Sequence, residues 1–152
     1  MARNSDTLRS PPASSEGRRR IMASIRGTNT RPERVLRSTL WRAGLRGFRC
    51  QWPGPGGRID VAFTRWKVAV FVDGSFWHGH PSKWQPGRWS GYWDEKIKRN
   101  IARDERQNAA LAESGWRVIR LWDFEVEQDQ QAFVETVRRE IEAVAFDSNV
   151  RS

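Results

Sequence analysis

Two aspartates occupy positions where strands rarely carry acids. Asp60 interrupts a strand-like run of apolar residues, and Asp73 directly follows another run, Val68–Val72. Because aspartate is depleted from strands, an acid here either lies at a solvated strand end or serves chemistry. A hairpin turning at Arg65 and Trp66 would bring both acids to the same end of a sheet. Oxygen atoms gathered at one place suit a hard cation such as Mg²⁺; two solvated strand-end acids are the alternative.

The chain's two histidines stand two residues apart in the segment FVDGSFWHGHPSKW, residues 71–84. His78 and His80 follow the strand that ends at Asp73, so they belong to a loop beside the acids. Imidazole titrates near neutral pH and serves as a general base or as a metal ligand. From these residues alone, a metal-binding loop, a catalytic loop and a packed tryptophan with polar neighbours are all open.

A further acid, Asp104, falls on the apolar stripe of a long predicted helix. It follows Ile97 by seven residues and Ile101 by three, which places the three side chains on one helix face. A carboxylate on a buried face needs a hydrogen-bonding or charged partner. One of the histidines is the natural candidate, and a salt bridge with Arg58 or Arg103 is the alternative.

The first helix also carries an acid on its apolar side. Thr30 is predicted as its N-cap, Pro32 lies in its first turn, and Gly44 ends it. Glu33 shares a face with the apolar positions, so its carboxylate can point inward. A capping box between Thr30 and Glu33 already explains the same residue.

A sheet and several helices are needed to position these residues. After the first helix, hydrophobic periodicity predicts three strands, a long helix, a fourth strand and a final helix, at Gly47–Gln51, Ile59–Thr64, Val68–Val72, Trp93 to about Ser114, Trp116–Trp122 and about Gln130–Ala145. The order predicts an α/β fold with a mixed central sheet flanked by helices.

The charge of the chain favours a polyanionic partner. Its 152 residues carry a formal net charge of +9 and include nine tryptophans. Phosphate binding releases condensed counterions, and exposed aromatic rings can stack on bases, so we expect nucleic acid; a basic but inert surface is the alternative. The single cysteine, Cys50, excludes an internal disulfide and an all-cysteine zinc site. Without an apolar stretch of roughly 20 residues, we expect a cytoplasmic protein with no membrane partner.

Composition divides the chain into three parts. Residues 1–20 carry Pro, Ser and Arg with almost no apolar residue, so we expect a disordered basic arm that follows a phosphate backbone or is simply solvated. Residues 21–146 are expected to form one folded domain, and residues 147–152 a flexible tail.

Several long motifs resemble the very short patch repair (Vsr) DNA mismatch endonucleases. The likeness covers about residues 20–125 and rests on RxIMxxIRxxNTxPE at 20–33, GRID at 57–60, FVDGSFWHGH at 71–80, YWDEKIKRNIARD at 92–104 and GWRVIRLW at 115–122. It implies a restriction-endonuclease-like, PD-(D/E)xK core of three layers, in which helices flank a mixed sheet.

The resemblance also implies roles for individual residues. Asp60 would bind Mg²⁺, the backbone carbonyl of Val72 would be a further ligand, and His78 would be the catalytic histidine. Glu33 and Asp104 would lie in the outer part of the active site, with Asp104 orienting the imidazole.

Aromatic residues of the family wedge into DNA beside the mismatch. The corresponding residues here are Phe76 and Trp77 in the loop and Trp93 at the start of the long helix. Inserted rings offset the cost of unstacking a base step; a role in the core is the alternative. Basic residues of the arm and of the long helix would bind backbone phosphates, the latter at Lys96, Lys98 and Arg99.

Three departures from the family pattern matter. Many members bind a structural zinc ion, but the ligand positions here read Ser75, His80, Ser82 and Phe124. Since zinc needs about four nitrogen or sulfur donors, we expect no zinc and a packed Phe124 in its place. The usual lysine of the fold is absent after Asp73, and His78 would take over its role. Asp73 itself replaces a neutral or basic residue and would be an additional metal ligand.

The function that the resemblance implies is a Mg²⁺-dependent endonuclease. It would nick one strand of double-stranded DNA at T·G mismatches left by deamination of 5-methylcytosine. A Vsr-like nuclease of a restriction or defence system, cutting matched or modified DNA, is the alternative, and a non-catalytic DNA-binding module is a reading from another class. We expect a monomer in the bacterial cytoplasm, associated with the nucleoid, with mismatch-repair proteins as further partners.

Overall fold

The computed structural model describes residues 29–88 and 91–151 of the chain. Eight elements follow one another: α1 (Arg31–Arg42), β1 (Arg49–Gly54), β2 (Gly57–Phe63), β3 (Val68–Asp73), α2 (Gly91–Glu113), β4 (Arg117–Trp122), α3 (Asp123–Gln128) and α4 (Gln130–Val150). Every helix and strand predicted from the sequence is present, and the short α3 is an addition. The arm expected over residues 1–20 lies outside the described residues.

The four strands form one mixed sheet in the order β1-β2-β3-β4. The first three strands are antiparallel neighbours, whereas β3 and β4 run parallel. Val61 pairs with Val70, and Phe63 with Val68, so the hairpin turns at the predicted place. The parallel pairing requires a crossover, which consists of the histidine-bearing loop and α2.

Helices cover both faces of the sheet. One face packs against α1, α3 and α4 through the larger apolar cluster, which includes Leu36, Val61, Val70 and Val137. The other face packs against α2 through a smaller cluster that contains Ile59, Phe71 and Leu111. The resulting three layers confirm the predicted α/β class and are consistent with a restriction-endonuclease-like core.

The start of α1 differs in detail from the predicted capping box. Thr30 is the N-cap, but its side chain accepts no hydrogen bond from the helix. Instead its hydroxyl donates to Glu33 at 3.3 Å, and the backbone N–H of Asn29 donates to Glu33 at 3.1 Å. The Glu33 carboxylate therefore binds the residues before the helix and is also buried, at 5 % exposure.

The last helix is longer than its sequence pattern indicated. It continues to Val150 rather than ending near Ala145, and so includes part of the segment expected as a flexible tail. Arg117 of β4 pairs with Glu140 at 2.9 Å and with Asp147 at 3.3 Å, which fastens the helix to the sheet edge. No helix within residues 29–88 and 91–151 is long and apolar enough to span a membrane.

Candidate active site

The alternation of side chains along β2 breaks at Asp60. Val61 and Phe63 belong to the cluster on one face of the sheet, whereas Ile59 belongs to the cluster on the other. In a regular strand, residues 59, 61 and 63 would share a face. Gln51, across the hairpin on β1, has a positive φ of 50°. The register of β1 and β2 is the same on either side of this point, so the irregularity is confined to the backbone near Gln51 and Asp60.

Asp60 is held by the neighbouring strands. The backbone N–H of Val72 donates to one carboxylate oxygen at 2.9 Å, and the amide of Gln51 approaches the other at 3.4 Å. The same amide donates to Glu33 at 3.1 Å. Gln51 thus bridges two acids from different elements, a role that the sequence analysis did not assign.

The carboxyl group of Asp60 has a strongly perturbed pKa. Burial raises the pKa of Asp60 to about 6, and the nearby charges of Glu33 and Asp73 add to the increase, although the Val72 N–H and the Gln51 amide oppose it. A buried carboxylate that other acids surround is stabilised in its charged form by a cation. Asp60, Glu33 and Val72 line one cleft, and the carboxylate oxygens of the two acids fit a hard divalent ion.

His78 contacts Asp104 through its Nδ1 atom, as the sequence analysis expected for one of the histidines. The backbone N–H of His78 donates to the carbonyl of Gly74 at 3.0 Å, which folds the loop into a turn. One turn before Asp104 on α2, Asn100 donates its amide to the carbonyl of Trp77 at 3.0 Å. Two contacts from α2 therefore hold the loop, one at the imidazole and one at the carbonyl of the preceding residue.

Asp73 is buried more deeply than Asp60, and its carboxylate already has a cationic partner. Arg120 of β4 donates to it at 3.0 Å, and the Nδ1 atom of His78 lies 3.8 Å away. Burial raises the pKa of Asp73, and the charges of His78 and Arg120 oppose that increase. Asp73, His78 and Asp104 offer ligand atoms within 4.8 Å of one another. Because Arg120 neutralises Asp73 and His78 pairs with Asp104, Asp60 and the Val72 carbonyl are the better candidates for a cation.

The predicted site residues line a common cleft of about 400 Å³. The four acids of the cleft are Glu33, Asp60, Asp73 and Asp104. The other polar or charged residues of its lining are His78, Gln51, Gln107, Arg58, Arg103 and Arg120. The geometry therefore places a carboxylate end, suited to a cation, next to an imidazole whose partner is a carboxylate. Arg120 and Gln107 are additions that no local sequence pattern indicates.

Next to the cleft, the predicted DNA-wedging residues form one aromatic cluster. The Trp77 ring lies 5.1 Å from Phe76 and 5.3 Å from Trp93 between ring centroids. The Lys96 ammonium lies 5.0 Å from the Trp77 ring centre. Trp93 is only 8 % exposed, so it forms the base of the cluster, while Phe76 and Trp77 are half-buried above it.

The family's zinc-ligand positions form a different arrangement in this chain. The His80 ring packs edge-on against Trp122 at 4.8 Å and Phe124 at 5.1 Å. Its Nδ1 atom accepts a bond from the Ser82 N–H at 3.1 Å, and Ser75 is buried beneath the loop. Phe124 packs at this place as expected, and the absence of zinc stays a prediction.

Fold and site together define the class of the protein: an α/β enzyme with an acidic, histidine-containing cleft at one end of a mixed sheet. The family model for the DNA mismatch endonuclease Vsr matches residues 13–84. The chain belongs to the Vsr family and is a DNA endonuclease. This membership replaces the reading as a non-catalytic DNA-binding module.

Similar proteins cover most of the chain. The type II nicking enzyme V.NaeI of Lentzea aerocolonigenes is 43% identical over 124 residues, which are 78% of this chain and 74% of that protein. V.XorIIP of Xanthomonas oryzae pv. oryzae, also named a type II nicking enzyme, is 43% identical over 115 residues, 74% and 84% of the two chains. The DNA mismatch endonuclease Vsr of Escherichia coli is 35% identical over 108 residues, 70% and 69%.

Proposed function

We propose that this endonuclease nicks one strand of double-stranded DNA at T·G mismatches that arise when 5-methylcytosine deaminates, with Mg²⁺ as its cofactor. The observation that carries the proposal is the pairing of two features in one cleft. Asp60, which is half-buried, has a pKa raised to about 6, and in the same cleft His78 contacts Asp104. These features suit phosphodiester hydrolysis by a metal ion and a general base.

Asp60 and the Val72 carbonyl would hold the ion, with Glu33 nearby. When bound, Mg²⁺ would polarise the scissile phosphate and stabilise the leaving oxygen. Gln51 keeps Asp60 and Glu33 at a fixed separation through its bridging amide. The two acids can therefore face a cation without first rearranging.

His78 is proposed to take a proton from the attacking water. Its Nδ1 atom contacts Asp104, which leaves Nε2 as the nitrogen that can accept a proton. A carboxylate on one imidazole nitrogen orients the ring and stabilises the charge that develops on it. Hydrolysis in this arrangement is proposed to leave a 5′-phosphate and a 3′-hydroxyl, with the nick 5′ to the mismatched thymine.

The aromatic cluster supports mismatch recognition. Phe76 and Trp77 lie on the same loop as His78, so rings placed between base pairs would set the position of the phosphate relative to the imidazole. A mismatched step costs less to unstack than a matched one, which favours T·G over normal pairs. Lys96 and Lys98 at the start of α2 are placed to bind backbone phosphates.

Cleavage of a T·G duplex tests the chemistry. Wild-type protein with Mg²⁺ should nick the thymine strand, whereas Asp60→Ala and His78→Ala should each lose at least roughly 100-fold in rate, since each removes a group that acts on the reacting atoms. Asp147→Ala, which removes an acid of α4 outside the cleft, is the matched control and should cut like wild type. If the Asp60 and His78 variants cut as fast as the control, the mechanism is wrong.

A second candidate function shares the catalysis but changes the substrate. Two relatives with 43% identity are named type II nicking enzymes, whereas the relative named Vsr is 35% identical. This favours a nick in one strand, and it also suits a nuclease of a restriction or defence system that cuts matched or modified DNA. Equal cutting of matched and T·G duplexes would favour this second candidate.

A further inference from the structure

We propose that Arg120 is a positioning residue of this site. It binds Asp73 and thereby leaves Asp104 as the single carboxylate on Nδ1 of His78, which holds the imidazole in one orientation with Nε2 turned toward the attacking water. The inference rests on the proposed role of His78 as the general base, and it concerns a residue to which the sequence analysis gave no part.

The guanidinium of Arg120 is fixed on every side. Nε donates to Asn108 at 2.7 Å, one terminal nitrogen donates to Gln107 at 3.0 Å, and the other donates to Asp73 at 3.0 Å. The ring of Phe71 lies beneath the guanidinium carbon, with its centre 4.2 Å away. The Arg120 side chain is only 18 % exposed. A guanidinium with this many partners has one orientation, because each bond restricts a different nitrogen.

Sheet register explains why Arg120 and Asp73 meet. Arg120 is the parallel partner of Phe71, and Asp73 lies two residues further along β3. Residues two apart in a strand point to the same face, so Asp73 is directed to the side of the sheet that Arg120 and Phe71 share. On that side α2 supplies Gln107 and Asn108, one helical turn after Asp104.

Two carboxylates compete for one imidazole nitrogen at this point. The Nδ1 atom of His78 contacts Asp104 and lies 3.8 Å from the nearer oxygen of Asp73. The guanidinium lies 3.0 Å from Asp73 and 3.7 Å from Asp104, so it pairs more closely with the first. Without Arg120, Asp73 would be a buried acid without its counter-charge, and the imidazole would be the cation-forming group within reach. The ring would then be drawn between two acids.

Nicking rates test this arrangement. Arg120→Met should lower the single-turnover rate on a T·G duplex roughly 10- to 100-fold, the usual effect of losing a partner that orients active-site ligands, with little change in DNA affinity. The double variant Asp73→Asn with Arg120→Met should recover part of the loss, because the competing carboxylate is gone. Arg120→Lys, which keeps a cation near Asp73, should lie between wild type and Arg120→Met.

Arg117→Met is the matched control. Arg117 is on the same strand and also pairs with two acids, Glu140 and Asp147, but it lies on the opposite side of the sheet. This variant should keep the wild-type rate. If Arg120→Met cuts like the control, or if the double variant is no faster than Arg120→Met, Arg120 does not act through Asp73 and the inference is overturned.

Nitrogen NMR of the imidazoles supplies a readout that does not depend on cleavage. His78 and His80 are the only histidines of the chain, so ¹⁵N-labelled protein gives two ring systems to assign. In wild type, the ¹⁵N chemical shifts of His78 should correspond to a protonated Nδ1 and a free Nε2. These shifts should change in Arg120→Met and return toward the wild-type values in the double variant. An unchanged His78 pattern in Arg120→Met overturns the inference. A wild type that nicks no duplex contradicts the proposed function instead, and the NMR result then still decides the role of Arg120.

Discussion

Asp60 has a charge that its protein neighbours do not neutralise. Its pKa is raised to about 6 by burial, with Glu33 and Asp73 contributing, and the opposing groups, the Val72 N–H and the Gln51 amide, are neutral donors. The energetic cost of ionising Asp60 is therefore present in the metal-free protein, and a cation bound at the proposed site would relieve it. A site of this kind gives up stability for function.

Removal of this charge should stabilise the metal-free protein. The pKa of Asp60 in the folded protein lies above the ordinary value of 3.8 for an aspartate, so the native state binds more protons than the unfolded state between about pH 4 and 6. The contribution of Asp60 to stability is favourable at low pH and is lost as the pH rises through 6. We expect Asp60→Asn to gain roughly 1–3 kcal/mol in unfolding free energy over wild type between pH 4 and pH 8.

Urea unfolding at a series of pH values measures this difference. Mg²⁺ should raise the stability of wild type at pH 8 and leave Asp60→Asn nearly unchanged. A pH-independent difference between the two proteins would contradict the assignment of the raised pKa to Asp60.

Gln51 combines a strained backbone with a bridging side chain. Its φ of 50° is unfavourable for a residue with a Cβ atom. Gln51→Gly and Gln51→Ala both remove the amide, but only glycine relieves the backbone. Gln51→Gly should be more stable than Gln51→Ala by about 1 kcal/mol in thermal unfolding, and both should bind Mg²⁺ more weakly than wild type. Equal Mg²⁺ affinity in all three proteins would show that the bridge has no part in metal binding.

At the scale of elements, the loop between β3 and α2 holds the site together. It contains the imidazole and the aromatic rings, and close packing against α2 fixes it. Gly79 has a φ of +72°, and a Cβ atom there would lie 2.7 Å from the Ile101 side chain. The position of His78 thus depends on a glycine between the two histidines.

Alanine at Gly79 should displace this loop. Gly79→Ala adds a clash to an unfavourable φ, so we expect a loss of roughly 1–3 kcal/mol in stability and slower nicking. Gly87, with a φ of +80° and open space around it, is the matched control for the backbone effect alone. Thermal melts and nicking rates of Gly79→Ala and Gly87→Ala would contradict the argument if the two variants behaved alike.

The contacts of His80 predict that the protein neither binds zinc nor depends on it for stability. Nδ1 of His80 accepts from the Ser82 N–H, and the ring packs between Trp122 and Phe124, so this place offers one further nitrogen and no thiolate. The purified protein should contain far less than one zinc per chain by elemental analysis. A zinc chelator should leave its melting temperature unchanged, and a large decrease would contradict the prediction.

Across the whole molecule, the sequence predicts contacts that follow from local patterns better than contacts between distant segments. The hairpin of β2 and β3 follows from alternating residues around a short turn, so the approach of Asp60 to Val72 could be predicted. The helical stripe of α2 likewise indicated that Asp104 faces inward. Arg120 lies 47 residues after Asp73, and their contact depends on the parallel register of β4, which no local pattern specifies. The bridging role of Gln51 depends on its positive φ, which no local pattern of the sequence specifies either.

The basic charge of the chain and the aromatic cluster beside the cleft are expected to play different parts in DNA binding. The net charge of +9 attracts the duplex regardless of sequence, so affinity alone does not distinguish a mismatch from a normal pair. We propose that discrimination comes from the loop of Phe76 and Trp77, because a mismatched pair is easier to unstack than a matched one. Rate, rather than binding, is therefore the quantity to compare.

The most direct test is single-turnover nicking of two end-labelled duplexes that differ only in T·G against C·G at one position, with Mg²⁺ present. The account predicts one nick, in the thymine strand and 5′ to the mismatch, with a rate on T·G at least roughly tenfold above that on C·G. Equal rates on the two duplexes, or cutting of both strands, would contradict it.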